Sequence, residues 1–116
     1  MDWHNLFWSF EGRISRMPFW IGGLILGVIH WVISGIAYGI GGQTTMSVVG
    51  GIVSLILIYP SLAVATKRWH DRDKSGWWTL IILIPVVGII WYIVVLGFLR
   101  GTDGPNRYGP DPLTGQ

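Results

Sequence analysis

The chain has 116 residues, of which 51% are hydrophobic and 12% charged, with a net charge of +2. Soluble domains carry about 25% charged residues, so this composition favours a membrane protein of one domain. The small positive balance and the lack of a basic helix or RNA-type aromatic motif argue against nucleic-acid binding. The absence of cysteine excludes disulfides, thiolate catalysis and cysteine metal sites.

Three stretches without any Asp, Glu, Lys or Arg dominate the chain, at 18–40, 46–66 and 77–99. A helix rises about 1.5 Å per residue, so each stretch reaches roughly 30 Å, the thickness of a bilayer's hydrocarbon core. The pattern predicts an all-α transmembrane bundle of three spans in a single membrane domain.

The segments outside these spans are short and distinct. Residues 1–17 place aromatic and aliphatic side chains at helical spacing, which predicts an interfacial N-terminal helix. Residues 41–45 form an uncharged turn, and residues 67–76 form a basic loop. The tail, 100–116, is rich in glycine and proline, which forbids a long helix or strand.

Cation counts predict the orientation. The N-terminal segment has two Lys or Arg residues, the 41–45 turn none, the 67–76 loop four and the tail two. With three spans, the N-terminus and the basic loop share one side, which we expect to be cytoplasmic, with the tail opposite.

Pro85 interrupts the third stretch and leaves a second topology open. We expect a single span kinked at Pro85, because the two halves are only about 12 Å and 21 Å long as helices. The alternative is a re-entrant hairpin at Pro85–Gly88, which would bring the tail and all eight cations to the cytoplasmic side.

Three motifs carry a family resemblance: Phe-Glu-Gly-Arg-Ile-Ser-Arg at 10–16, Lys-Arg-Trp-His-Asp at 67–71, and Gly-Thr-Asp-Gly-Pro-Asn-Arg-Tyr-Gly-Pro-Asp-Pro at 101–112. In this order they resemble the bacterial family catalogued as domain of unknown function 805, the YhaH-like inner-membrane proteins. The family often has arginine in place of Lys67 and leucine in place of Trp69. The resemblance implies a multi-pass bacterial inner-membrane protein and supplies no reaction.

The basic segments are the best candidate site. Juxtamembrane cations near an anionic leaflet contribute about 1 kcal/mol each, which favours binding of an anionic lipid or a protein partner. The alternative is an ordinary loop that only sets topology. The predicted binding residues are Arg13, Arg16, Lys67, Arg68, His70, Asp71, Arg72 and Lys74.

His30 and Ser54 fall at similar depths in the first two spans, so we expect an intramembrane hydrogen bond between them or from His30 to a backbone carbonyl. Small residues four apart, at Gly23, Gly27, Gly35 and Gly39, predict close helix packing within the chain or in a homo-oligomer.

The sequence therefore predicts a non-enzymatic inner-membrane protein without a cofactor or metal. One alternative is a small oligomeric transporter or pore that uses His30 and the kinked helices. A second is an enzyme acting on lipid headgroups through His70, Asp71 and Asp73.

Overall fold

The computed structural model describes residues 2–113. Its elements are α1 (Trp3–Trp8), α2 (Arg16–Asp71), a 3-10 helix (Gly76–Leu83), α3 (Val87–Ile93) and a π-helix (Val94–Phe98). The described residues contain no strand, only an isolated β-bridge between Asn106 and Gly109. The predicted all-α class is confirmed.

The long helix α2 is folded into a hairpin at Gly42, whose φ of 77° and ψ of −160° are non-helical. Residues equidistant from Gly42 meet across the hairpin: His30 lies 2.9 Å from Ser54, and Gly22 packs against Val64. The two arms, 16–41 and 43–71, are therefore antiparallel and roughly 39 Å and 43 Å long.

Large apolar side chains on the arms are exposed. Trp31 is 76%, Ile40 80% and Leu55 71% exposed. Among the described residues, α2 is the one helix long and apolar enough to cross a membrane, and each of its arms exceeds the roughly 30 Å of a bilayer core. Such a continuous apolar surface indicates contact with lipid.

The third apolar stretch differs from the predicted kinked helix. The 3-10 helix runs outward for about 16 Å, and residues 87–98 run back for about 18 Å. At the outward end Gly76 lies against Thr66, and at the returning end the Leu96 carbonyl accepts a hydrogen bond from Arg68. Both ends of the stretch thus lie beside the end of α2.

The reversal has a local cause. Pro85 has no N–H to continue the helix, and Val86 follows with a positive φ of 63°. Gly88 then passes so close to the Ile81 carbonyl that a Cβ would clash with it. This geometry is the hairpin alternative left open by the sequence.

The N-terminal helix is shorter than predicted for 1–17, because α1 ends at Trp8 and Gly12 adopts a φ of 88°. Leu6 is buried against Ile14 and Val64. The Trp8 carbonyl also accepts a hydrogen bond of 3.0 Å from the Tyr59 hydroxyl. One face of α1 therefore packs on the second arm of the hairpin.

We expect Gly42→Ala to lower the free energy of unfolding by about 1–3 kcal/mol, because its backbone conformation is essentially restricted to glycine. Gly39→Ala is the matched control: Gly39 lies in the first arm with open space around its Cα. That change is expected to be neutral or stabilising by up to about 1 kcal/mol. Thermal unfolding of both variants in one detergent measures the difference. Equal stability of Gly42→Ala and Gly39→Ala would contradict a turn at Gly42.

Candidate functional site: a buried polar latch beside a basic rim

Asp71 lies at the centre of a buried ionic group at the end of α2. Its Oδ1 accepts a hydrogen bond of 2.9 Å from Arg13 Nε, and its Oδ2 accepts one of 2.8 Å from Arg68 Nη1. The three side chains are 1%, 3% and 0% exposed for Arg13, Asp71 and Arg68. We call Arg13, Lys67, Arg68, His70 and Asp71 the latch.

Arg13 also binds the tail. Its Nη1 donates to the Gly104 carbonyl at 2.8 Å, and its Nη2 donates to the Thr102 carbonyl at 2.6 Å. The backbone N–H of Thr102 donates in turn to the Asp71 carbonyl at 2.7 Å. The N-terminal segment, the end of α2 and the tail are thus joined through one guanidinium group.

The backbone carbonyls of residues 96–100, at the end of the third apolar stretch, all accept hydrogen bonds from side chains. The carbonyls at a helix C-terminus lack intrahelical partners and carry the negative end of the helix dipole, so cationic donors stabilise them. The donors are Arg68 to Leu96 and Leu99, Trp20 to Gly97, Arg16 to Phe98 and Arg72 to Arg100.

Lys67 supplies hydrogen-bond donors to the carbonyls at the end of α1. Its Nζ donates to the carbonyls of Asn5, Leu6 and Ser9, at 2.7 Å for Leu6 and 2.6 Å for Ser9. Burial lowers the pKa of Lys67 to about 8, opposed by the nearby charge of Asp2. The amine is therefore mostly protonated at neutral pH, when all three of its hydrogens can be donated.

His70 contacts both the N-terminal segment and the tail. Its Nδ1 carries the proton and donates to the Gly12 carbonyl at 2.8 Å, since a carbonyl only accepts. The ring stacks on Tyr108 with centroids 3.8 Å apart. Burial is the main cause that lowers the pKa of His70, with Arg107 and Lys67 adding to it. The neutral ring is therefore favoured.

Burial disfavours the charged forms of the latch side chains, and their contacts with one another favour those forms. Desolvation raises the pKa of Asp71, while the hydrogen bond from Arg13 and the charge of Arg68 lower it. Desolvation also lowers the pKa of Arg68 to about 10, which leaves the guanidinium charged at neutral pH. The charge of the second arginine is offset by hydrogen bonds to the surrounding carbonyls, and Asp111 attracts Arg13 without contacting it.

The tail is folded as a cap over this group. Gly101 passes so close to the Asp71 carboxylate that a Cβ would clash. Asn106 donates from its side chain to the His70 carbonyl at 2.9 Å. Asp111 accepts from the backbone N–H groups of Gly104 and Leu113, both at 2.9 Å, which lowers the pKa of its carboxyl.

The residues predicted to bind lipid or a partner fall into two groups. The five members of the latch are buried and bonded to the protein's own atoms, so they offer little surface to a phosphate. The remaining three, Arg16, Arg72 and Lys74, lie on the accessible edge, where no acidic side chain of the described residues pairs with them. Arg100 and Arg107 are also exposed but pair with Asp103 and Asp73. We call these five exposed or half-buried cations the basic rim.

A groove of about 550 Å³ begins at the basic rim. Arg72, Lys74 and Trp78 lie at its polar end, and Lys74 Nζ is 5.2 Å from the centre of the Trp78 ring. The rest of its wall is apolar, formed by Val87, Ile90, Trp91, Val94, Val95 and Leu99. The groove therefore combines two cations with a hydrocarbon-like surface.

His30 and Ser54 are brought together across the hairpin, at 2.9 Å, with His30 Nε2 also 3.2 Å from the Gly50 carbonyl. Both line a cavity of about 910 Å³ between the hairpin arms and the third apolar stretch. The predicted hydrogen bond is therefore present in the structure.

The glycines predicted to pack helices do not do so within the chain. Gly23, Gly27, Gly35 and Gly39 have open space where a Cβ would be. Gly22 and Gly50 make the close approaches instead, to Val64 and to Ser34. Spacing alone could not reveal which of several small residues lies on the inner face.

His70, Asp71 and Asp73 do not converge on a common point. His70 bonds Gly12, Asp71 bonds Arg13 and Arg68, and Asp73 accepts from Arg107 at 3.1 Å. Within residues 2–113 no three His, Cys, Asp or Glu side chains group as metal ligands. The geometry thus gives no support to the alternative of a headgroup-modifying enzyme.

Sequence reasoning missed Trp20 and most tail residues as members of the site. The available signal was the density of Gly, Asn, Asp and Pro in 101–112, which indicates fixed turns. It did not reveal that these turns close over Asp71.

Comparison with known proteins identifies a family and two similar relatives. Residues 7–110 match the family described as protein of unknown function, DUF805. The chain is similar to the inner membrane protein YhaH of Escherichia coli K12, at 33% identity over 97% of each chain. It is also similar to the inner membrane protein YhaI of the same strain, at 35% identity over 92% of this chain and 88% of YhaI. No solved structure matches the chain.

We expect Asp71→Asn to destabilise the protein by about 3–5 kcal/mol, because two buried arginines lose the carboxylate that both contact. Asp73→Asn is the matched control. It removes the same charge at a position two residues later, where the carboxylate belongs to an exposed ion pair, and we expect a cost below about 1 kcal/mol. Thermal unfolding in detergent compares the two variants. Similar losses for both would show that the buried ion pairs do not hold the fold.

Proposed function

The chain belongs to the DUF805 family of proteins of unknown function and is a helical inner-membrane protein, and we propose that it binds an anionic phospholipid on its cytoplasmic side. The groove at Arg72 and Lys74 is the main support for this proposal, because its wall combines two cations with an apolar surface. An anionic phospholipid has the same two parts, a phosphate and acyl chains.

The proposed topology has two spans and a re-entrant hairpin. The arms of α2 cross the bilayer, and the stretch 76–98 enters and leaves on one side. Its depth of about 16–18 Å is half of a bilayer core. The returning end of this stretch is bonded to Arg68 of the latch, and its outward end lies against Thr66.

The distribution of charge supports a cytoplasmic N-terminus and tail. Hydrogen bonds from Arg13 link the N-terminal segment, the end of α2 and the tail. All eight Lys and Arg residues therefore lie at one end of the hairpin, and the turn at Gly42 has none. The positive-inside tendency assigns that end to the cytoplasm.

The cations at the groove are suited to a phosphate because they have no acidic partner within residues 2–113. Arg72 is fixed by its bond to the Arg100 carbonyl, and its Nε has no hydrogen-bond partner among the described residues. A headgroup phosphate beside Arg72 and Lys74 would contact both cations, while one acyl chain follows Val87, Ile90 and Val94 along the groove.

The topology is tested with single cysteines, which need no altered background because the chain has none. We expect Gln43→Cys to react with a membrane-impermeant maleimide in intact bacteria with a permeable outer membrane. Asp103→Cys is expected to react only after the inner membrane is opened. Both positions are exposed. Labelling of Asp103→Cys in intact cells would instead support three spans and an external tail.

Lipid binding is tested by native mass spectrometry of the purified chain with phosphatidylglycerol and with phosphatidylethanolamine of the same acyl chains. We expect phosphatidylglycerol to be retained preferentially. The double change Arg72→Gln and Lys74→Gln removes two cations, worth together about 2 kcal/mol or roughly 30-fold in affinity.

The control is the double change Arg100→Gln and Arg107→Gln, which removes the same charge from cations that already have acidic partners. We expect it to retain the lipid. Equal loss in both double variants would indicate attraction by net charge alone, and unchanged binding in both would refute the groove as the lipid site.

A further inference from the structure

The cavity between the hairpin arms is separate from the groove at the basic rim. The two share no lining residue. The cavity wall comes mainly from the two arms, with Thr79, Ile82, Tyr92 and Ile93 added from the third apolar stretch, and the groove is lined by other residues of that stretch together with Arg72 and Lys74. At about 910 Å³ it falls within the range of sites for small molecules.

Within residues 2–113, no Lys, Arg, Asp or Glu lines this cavity. A charged ligand would have to lose its hydration there without a counter-charge, which is strongly unfavourable. The wall is mostly aliphatic and aromatic, with a few hydroxyl groups and one imidazole. An occupant is therefore uncharged and largely apolar.

Hydrogen-bond accounting assigns the proton of the imidazole. The single hydroxyl hydrogen of Ser54 is donated to the Gly50 carbonyl at 2.8 Å. His30 Nε2 contacts the same carbonyl at 3.2 Å and Ser54 Oγ at 2.9 Å, and both can only accept from it. Nε2 therefore carries the hydrogen.

The other ring nitrogen is then an acceptor. An imidazole that carries its hydrogen at Nε2 has a lone pair at Nδ1. Both hydrogen-bond contacts of the His30 ring within residues 2–113 are made by Nε2, and none is made by Nδ1. His30 lies about 21 Å from the start of its arm and about 17 Å from the turn, so Nδ1 is an unused acceptor in a mostly apolar site.

We propose that this cavity binds an uncharged long-chain alcohol, with its hydroxyl donating to His30 Nδ1 and its hydrocarbon chain along the apolar wall. The hydroxyl supplies the donor that Nδ1 lacks. A fatty acid anion would find no cation in the cavity wall to pair with. An ether has no hydroxyl hydrogen to donate to Nδ1. This site does not depend on the anionic-lipid site, since the two share no lining residue.

The test uses the full chain in phosphatidylcholine nanodiscs with a hexadecanol that carries a mid-chain diazirine. Photolabelling is quantified by intact-protein mass spectrometry and located by peptide mapping. Unlabelled hexadecan-1-ol and its methyl ether, at equal concentration in the bilayer, compete with the probe. We expect the alcohol to compete about fivefold better, the contribution of one neutral hydrogen bond.

Two pairs of variants locate the site. Gly27→Phe fills the cavity, whereas Gly39→Phe adds the same side chain on the same arm outside it; both glycines have open space around them. We expect at least fivefold less labelling for Gly27→Phe and unchanged labelling for Gly39→Phe. His30→Phe is expected to abolish the preference for alcohol over ether, and His4→Phe to leave it intact.

Equal labelling of the two glycine variants, or equal competition by alcohol and ether in the unmodified chain, would overturn the proposal. If Gly27→Phe fails to fold, peptide mapping of the unmodified chain decides. Labels confined to 19–30, 54–65, 79–82 and 92–93 support the site, and labels in the groove at 87–91 or spread over the outer surface of the arms refute it.

Discussion

The fold depends on supplying hydrogen-bond donors to the backbone where the third apolar stretch ends beside α2. The helix at 87–98 ends with carbonyl groups that have no partner in a next turn of helix. Arg68 meets this requirement at Leu96 and Leu99 and also binds Asp71. The same guanidinium therefore fixes the end of α2 against the end of the third apolar stretch.

Asp71 allows two arginines to be buried at one point. Each would be costly alone in a low-dielectric environment, and the shared carboxylate and the surrounding carbonyls offset that cost. Arg13 uses its remaining donors on the tail, at Thr102 and Gly104. One acidic residue thus couples three segments that are far apart in sequence, at 10–16, 67–71 and 101–112.

The sequence was sufficient for features governed by composition and spacing. The apolar stretches predicted helices and a membrane location, and the matching depths of His30 and Ser54 predicted their contact. It was not sufficient where direction depends on tertiary partners. Pro85 is compatible with a kink or a reversal, and only the donors at the far end of the stretch favour the reversal. Likewise, Lys67 and Arg68 look like surface cations in a basic loop, yet they are fully buried because two helix ends terminate beside them.

The distinction between buried and exposed cations determines what the basic segments do. The cations of the latch donate to backbone carbonyls of the protein itself: Arg13 to the tail, Lys67 to the end of α1 and Arg68 to residues 96 and 99. Arg72 belongs partly to both groups, because it bonds the Arg100 carbonyl while lying at the mouth of the groove. A ligand phosphate at Arg72 would therefore contact a side chain held by the tail, and the tail is held by Arg13 and Asp71. Through this chain of bonds, the ion pairs that stabilise the fold also fix the position of the cation that the proposed lipid would meet first.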